Sequence, residues 1–173
     1  MLEKLIILII ISLSLFSCTR TENGLVFGIP EYEKRDIKVS NIDLSILLKT
    51  KELLSMKDSW TRDNLRTCSG NSPYNLYCAL EAASNIVDGQ YIHRRPALQE
   101  VRFTIDDNYK DRWKVHRLAD FNSHPNTTYT DVVKVLDVTI YRVKQKLEHY
   151  NSFNNAWIYG ACFDLRHCMA PVG

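Results

Sequence analysis

Apolar residues recur at helical spacing along most of this chain, and the clearest repeat predicts a helix over residues 128–150. Thr128 stands where an N-cap is expected and Asp131 follows three residues later, as in a capping box. The apolar positions of this helix are Val132, Val133, Leu136, Ile140, Val143 and Leu147. No stretch alternates convincingly between apolar and polar residues as a β-strand does. The pattern therefore predicts an all-α domain, a compact bundle of about four helices, over residues 40–150.

Three weaker repeats predict the other helices of this bundle, at residues 41–57, 73–87 and 105–119. Ser40 would cap the first of them, and Pro73 would supply the first residue of the second. The second helix has small residues on its apolar face, which allow close packing, so we expect it at the centre of the bundle. Residues 91–99 and 121–126 are predicted to be loops between helices.

The amino terminus is an apolar run of about a dozen residues, Leu5 to Phe16, which is shorter than the roughly 20 that span a bilayer. Such a run is typical of a secretory leader. Leu15-Phe16-Ser17-Cys18 resembles a bacterial lipobox, which implies that Cys18 is cleaved on its amino side and carries diacyl lipid and palmitate. We expect residues 1–17 to be a signal peptide and residues 18–39 to be a lipidated tether and extended arm.

Four cysteines remain when Cys18 is assigned to the lipid, and an even number in an exported chain predicts two disulfides. They are Cys68, Cys78, Cys162 and Cys168, and three pairings can form. A crossed pairing closes longer loops and removes more unfolded-chain entropy, on the order of 4 kcal/mol against roughly 3 for a local one. We therefore favour a crossed pairing, which would pin an irregular carboxyl tail, residues 151–173, to the domain.

Composition narrows the choice of function only slightly. The length of 173 residues fits one ordinary domain, and nine tyrosines with few glycines and prolines describe a folded chain. A formal net charge of +2 is too balanced to indicate a nucleic-acid surface. We predict no nucleic-acid partner.

Phe121, Asn122 and His124 form the most interesting polar stretch, because asparagine and histidine in a loop can orient a ligand. A small hydrolase or ligand-binding site centred on residues 121–126 would use them. In the alternative interpretation, Asn122 bonds backbone groups of a turn while Phe121 fills the core, and the tendency of asparagine to stabilise turns favours this second role.

Two other candidate sites involve the tail. His167 adjoins Cys168, which raises the hypothesis of a thiol activated by a neighbouring base. However, the cysteines of exported chains usually form disulfides. A zinc site at Cys162, His167 and Cys168 with a distant fourth ligand is a second hypothesis, but five residues separate the cysteines and no C-x-x-C occurs. We predict no metal, no cofactor and no catalytic residue.

Basic residues are concentrated at His93-Arg94-Arg95 and along the segment that follows. The other members are Arg102, Arg112, Lys114 and Arg117, and acidic residues interrupt the series at Glu100, Asp106, Asp107 and Asp111. An anionic partner such as phospholipid headgroups would suit the basic residues. The mixture of charges favours a solvated face instead.

Two pairs of motifs resemble a small helical domain of unknown function found in bacterial and phage proteins. The first pair is Trp60-Thr61-Arg62 with Tyr77-Cys78-Ala79-Leu80-Glu81-Ala82-Ala83. The second pair is Leu118-Ala119-Asp120-Phe121-Asn122 with Thr130-Asp131-Val132-Val133-Lys134-Val135-Leu136. The resemblance covers about Leu47 to Leu147 and implies a fold but no activity. It also implies that Cys78 is a small buried helical residue that need not be oxidised.

These observations together predict a lipoprotein whose domain faces the periplasm or the exterior, anchored in the cell membrane or the outer membrane. We expect it to act as a binding module, with an envelope protein as a partner. Two alternatives remain open. One is the hydrolase or ligand-binding domain centred on residues 121–126, and the other is a phage-derived exclusion or immunity lipoprotein acting on a channel or receptor.

Overall fold

The computed structural model describes residues 30–158 of the chain. The leader, the lipidation of Cys18 and the cysteines Cys162 and Cys168 lie outside the described residues. Residues 151–158, predicted to belong to an irregular tail, are helical instead, because the last helix continues through them. The chain divides into two units, Met1–Lys34 and Arg35–Gly173. In the first unit the described residues form a single 3-10 turn, Glu31–Glu33, where Lys34 pairs with Glu31 at 2.5 Å.

The second unit is helical, which confirms the predicted all-α class. Its described part contains five α-helices: α1 Asn41–Leu53, α2 Leu76–Asp88, α3 Pro96–Asn108, α4 Arg117–Ser123 and α5 Tyr129–Ile158. Short 3-10 turns at Lys57–Ser59 and Lys110–Arg112 occupy two of the connections. The described residues contain no strand, only an isolated parallel bridge between Trp60 and Tyr74.

Two of the helices begin at the capping residues that the sequence predicts. The Ser40 hydroxyl accepts the Asp43 N–H at 3.3 Å, and the Asp43 carboxylate accepts the Ser40 N–H at 2.8 Å. The same exchange joins Thr128 and Asp131 at the start of α5, at 3.2 and 2.9 Å. Each pair satisfies N–H groups that have no partner within the helix, which is why both helices start there.

The second predicted helix starts at the wrong residue. Its N-cap is Asn75, whose side-chain oxygen accepts the Cys78 N–H at 2.8 Å, so Pro73 lies in the preceding turn. The helix ends at Gly89, which adopts a left-handed conformation with φ of 70°, as is common at helix C-termini. The first helix is also shorter than predicted and ends at Leu53.

The predictions for the middle of the chain are wrong. Residues 91–99, predicted as a loop, contain the start of α3, because Pro96 fits the first position of a helix. The helix predicted at 105–119 does not exist as one element, since α3 ends at Asn108 and α4 begins at Arg117. The sequence hides α3 because several of its buried side chains are polar: Gln99, Glu100, Arg102 and Thr104.

α3, and not α2, lies at the centre of the packing. Every residue of α3 from Ala97 to Ile105 is buried, and this helix contacts α1, α4 and α5. The small residues Ala79 and Ala83 of α2 are fully buried as expected, and α2 packs against α1 and α4. The core is therefore continuous across all five helices.

A disulfide joins Cys68 to Cys78, with the two Cα atoms 5.3 Å apart. The crossed pairing that chain entropy favours is therefore wrong for these two cysteines, and Cys78 is oxidised. The local pairing follows from the path of the connection after α1. Thr61 donates to the Tyr74 carbonyl at 2.9 Å and Tyr74 donates to the Ser59 carbonyl at 2.8 Å, which folds residues 61–74 into a closed loop against the start of α2.

Candidate functional site

The first half of the predicted ligand loop, residues 121–123, is helix. Phe121 and Asn122 lie in α4, and His124 is its C-cap. Phe121 is fully buried, with its ring centroid 5.0 Å from that of Tyr109. The Nδ1 atom of His124 accepts the Asn126 N–H at 3.2 Å and so stabilises the turn into α5. The three residues do not converge on one pocket.

All hydrogen-bonding positions of the Asn122 amide are occupied by the protein. Its oxygen accepts the indole N–H of Trp60 at 2.7 Å and the backbone N–H of Leu76 at 3.0 Å. Its nitrogen donates to the carbonyls of Thr61 at 3.0 Å and Asp63 at 2.8 Å. Because Asn122 has 0% exposure, it cannot contact a ligand without giving up one of these bonds. Asn122 thus joins α4 to the connection after α1, as the backbone-bonding interpretation requires.

A different group of side chains forms a polar cluster that the sequence does not reveal. We call Tyr77, Tyr91, His93, Arg102 and His116 the histidine cluster. Neighbouring rings lie close together: the Tyr77 centroid is 5.6 Å from that of His116, and the two imidazoles are 6.1 Å apart. The cluster draws on α2, the α2–α3 connection, α3 and the N-cap of α4. No local pattern in the sequence could have grouped residues from four segments.

Hydrogen bonds determine the tautomers in the histidine cluster. Arg102, which is always a donor, donates to Nε2 of His93 at 3.3 Å, so a neutral His93 ring carries its proton on Nδ1. That Nδ1–H then donates to the Tyr91 hydroxyl at 2.9 Å. Nδ1 of His116 accepts the Ala119 N–H at 3.2 Å and caps α4. Protonation of that atom would abolish the cap.

Burial and positive neighbours keep both imidazoles neutral. Burial, followed by the charges of Arg102 and Arg94, lowers the pKa of His93 to about 4. Burial and the charges of Arg102 and Arg66 also lower the pKa of His116, and only the nearby Asp120 opposes them among the charged neighbours. Burial and a hydrogen bond to Tyr77 raise the pKa of Tyr91. The cluster is therefore a set of neutral rings beside a buried arginine.

Stability is expected to fall as the pH is lowered from 6.5 to 4. In this range the unfolded chain binds more protons than the folded one, because the folded histidines have lowered pKa values, so the free energy of unfolding decreases with falling pH. Solvent screens these partly exposed rings, and we expect a loss of about 1–2 kcal/mol from His93 and His116 together. Urea unfolding at a series of pH values measures this slope.

Two substitutions test whether the histidine cluster causes the slope. His93→Gln should make the slope shallower, because His116 then remains as the only histidine of the cluster, and His149→Gln at an exposed position of α5 is the matched control. Burial alone would raise the pKa of Asp120, but N–H groups of Val115, His116 and Lys114 lower it, so its titration falls below this range. An identical slope for His93→Gln and the unsubstituted protein would refute the assignment.

A groove of about 530 Å³ lies beside the arm that precedes α1. Residues 36–39 form one wall and residues 145–150 of α5 form the other. Lys38 lies across it, donating to the Tyr150 hydroxyl at 2.8 Å with its Nζ atom 4.3 Å from the ring centroid. A volume of this size is typical of a site for a small ligand or a short side-chain group.

Neither a metal site nor a membrane span occurs in the part of the chain that the structure describes. Within residues 30–158, no three histidine, cysteine or acidic side chains are grouped so that they could hold a metal ion. The helices of the same region lack the length and apolar character that crossing a bilayer requires.

Comparison with protein-family models matches residues 41–142 to DUF6197, a family of unknown function. The match extends from the first residue of α1 into the middle of α5 and includes the histidine cluster and Asn122. No curated protein and no solved structure matches the chain.

Proposed function

Because the chain belongs to DUF6197, a family of unknown function, its role must be argued from its own residues, and we propose a lipid-anchored envelope protein that acts by binding. The family assignment agrees with the resemblance drawn from the sequence motifs. The family has no known activity that could be assigned to this chain. The proposal therefore rests on the leader, the disulfide and the groove.

The observation that carries the proposal is the Cys68–Cys78 disulfide. Stable disulfides form in oxidising compartments and are rare where thiols are kept reduced. An oxidised pair in the helical domain therefore supports export, which is what the apolar run and the lipobox-like Leu15-Phe16-Ser17-Cys18 predict. The disulfide and the leader lie in different parts of the chain, and both support an exported protein.

The groove beside the arm supports a binding role at that location. Ile37, Val39 and Tyr150 give it apolar walls. Its polar lining residues are Asp36, Lys38, Gln145, Lys146 and His149. Apolar walls with a few polar groups are typical of binding sites. The arm that forms one wall, residues 36–39, is the last part of the predicted tether.

Metabolic labelling with a fatty-acid analogue tests the anchor. We expect label on the unsubstituted protein and a complete loss of label for Cys18→Ser, because acylation requires that thiol. Cys162→Ser is the matched control and should keep the label. An equal absence of label from the unsubstituted protein and Cys18→Ser would refute the lipid anchor.

The same preparations also report the compartment. If the domain is exported, Cys68 and Cys78 should react with an alkylating reagent only after reduction of the unfolded protein. Free thiols at both positions in protein taken from cells would contradict export, even if a label were present.

A further inference from the structure

Two hydrogen-bond donors of the histidine cluster have no acceptor among the residues that the structure describes. Nδ1 of His116 accepts the Ala119 N–H, so the neutral ring carries its proton on Nε2, and no described residue accepts that proton. The Tyr77 hydroxyl accepts a hydrogen bond from Tyr91, which leaves its own hydrogen to donate. The ring centroids of Tyr77 and His116 are 5.6 Å apart, so the two donors belong to neighbouring side chains.

Arg66 is held close to these donors by two links between its loop and the start of α2. On one side of Arg66, the Leu65 carbonyl accepts a side-chain N–H of the α2 N-cap at 2.7 Å. On the other side, the disulfide joins Cys68 to Cys78, which is the residue after Tyr77. Arg66 is exposed, and its guanidinium forms no hydrogen bond or ion pair with another described residue. It is therefore a third donor near Tyr77, and a charged one.

Positive charge prevails around the histidine cluster. The charges of Arg66 and of the buried Arg102 act on both imidazoles, and the charge of Arg94 acts on one of them. Two carboxylates oppose these cations. Asp120 accepts three backbone N–H groups, which already share its charge, and Glu81 acts on the tyrosine side of the cluster. The balance of charge favours an anionic ligand over a cation.

We propose that the histidine cluster binds a small oxyanion of the phosphate or sulfate type. The Tyr77 hydroxyl and the Nε2–H of His116 donate to its oxygens, and Arg66 adds a charge-assisted hydrogen bond. Three donors from separate segments suit an ion with three or more oxygens better than a carboxylate with two. Arg102 keeps its hydrogen bond to His93 and polarises the chain of donors that ends at Tyr77. This proposal does not depend on the lipid anchor.

Calorimetric titration of the full chain with sodium sulfate, at an ionic strength held constant with sodium chloride, tests the site. We expect the unsubstituted protein to bind sulfate, because this ion offers only acceptors to the three donors. Arg66→Gln should weaken binding by about tenfold, and Tyr77→Phe, which keeps the ring, by roughly threefold, because hydrogen bonds to charged groups are the stronger kind. Lys134→Gln removes the same charge at an exposed position of α5 and should change the affinity by less than about twofold, since salt screens distant charges.

Nitrogen-15 NMR of the histidine rings locates the bound ion. Sulfate should shift the Nε2 resonance of His116 and leave the resonances of His149, which lines the groove beside the arm, unchanged. Inorganic phosphate and glycerol 3-phosphate then distinguish the two sources of such a group. Tighter binding of the ester supports a ligand that carries the phosphate on a larger molecule, whereas tighter binding of the inorganic ion supports the free ion.

Three outcomes would overturn the proposal. The first is that millimolar sulfate produces neither heat nor a shift at His116. The second is that Arg66→Gln and Lys134→Gln weaken binding equally, because the ion would then respond to the net charge of the protein alone. The third is a shift at His149 in place of His116, which would locate the ion in the groove.

Discussion

Asn122→Ala is expected to lower the free energy of unfolding by about 4 kcal/mol, since a buried polar group left without a partner costs about 1–3 kcal/mol. The substitution would leave two donors, the Trp60 indole and the Leu76 N–H, and two carbonyls without their partner. Urea unfolding measures the loss as a lower midpoint at an unchanged slope.

Two further substitutions separate the hydrogen bonds from the volume of the side chain. Asn122→Asp keeps the shape but places an oxygen against the carbonyls of Thr61 and Asp63, so it should also destabilise strongly. Asn126→Ala, at an exposed position just beyond α4, should change stability by less than about 0.5 kcal/mol. If Asn122→Asp were as stable as the unsubstituted protein, the hydrogen-bond argument would be wrong.

Lys146→Met is expected to destabilise the protein by about 3 kcal/mol, because it leaves a buried carboxylate without its closest cation. The Glu100 side chain has 0% exposure, and its Oε1 atom is 2.5 Å from Nζ of Lys146. Arg142 lies 3.8 Å from the other oxygen, which is too far for a hydrogen bond. Methionine keeps most of the volume of lysine, so the measured loss reports the charge of Lys146 together with its hydrogen bond to the Arg35 carbonyl. Urea unfolding again provides the measurement.

The control for the Glu100–Lys146 ion pair is an exposed ion pair of similar geometry. Lys51 lies 2.5 Å from Asp137 with both side chains about half exposed, so Lys51→Met should cost no more than about 1 kcal/mol. Adding Glu100→Gln to Lys146→Met should restore part of the stability, because the buried charge is then gone. A double variant less stable than Lys146→Met alone would contradict this explanation.

The sequence predicts those parts of the fold whose causes are local. The capping pairs of Ser40 with Asp43 and of Thr128 with Asp131 lie three residues apart, so the starts of α1 and α5 can be located from the sequence. The start of α3 could not be located from the sequence, because its buried polar residues are stabilised by partners that are distant in the sequence. Glu100, for example, meets a lysine 46 positions away. In the sequence, a helix with buried charged residues resembles an exposed helix as long as the residues that pair with those charges are not known.

The same distinction applies to the candidate sites. The sequence identifies Asn122 as a residue of interest, and the preference of asparagine for backbone bonds suggests its role. Its partners lie about 60 positions earlier in the chain, so neither their identity nor the burial of the amide can be inferred. His93 and His116 are 23 positions apart with no motif between them, and only folding brings their rings together.

Asp43 gives the domain a cooperative link that neither helix would have alone. One carboxylate occupies the first turn of α1 and the first turn of α3, which are separated by 54 positions in sequence. Fraying of the first turn of α1 moves Asp43 and removes the acceptor of the Ala97 N–H, so both ends then lose protection against amide hydrogen exchange. The start of α1 therefore cannot open without loosening the start of α3.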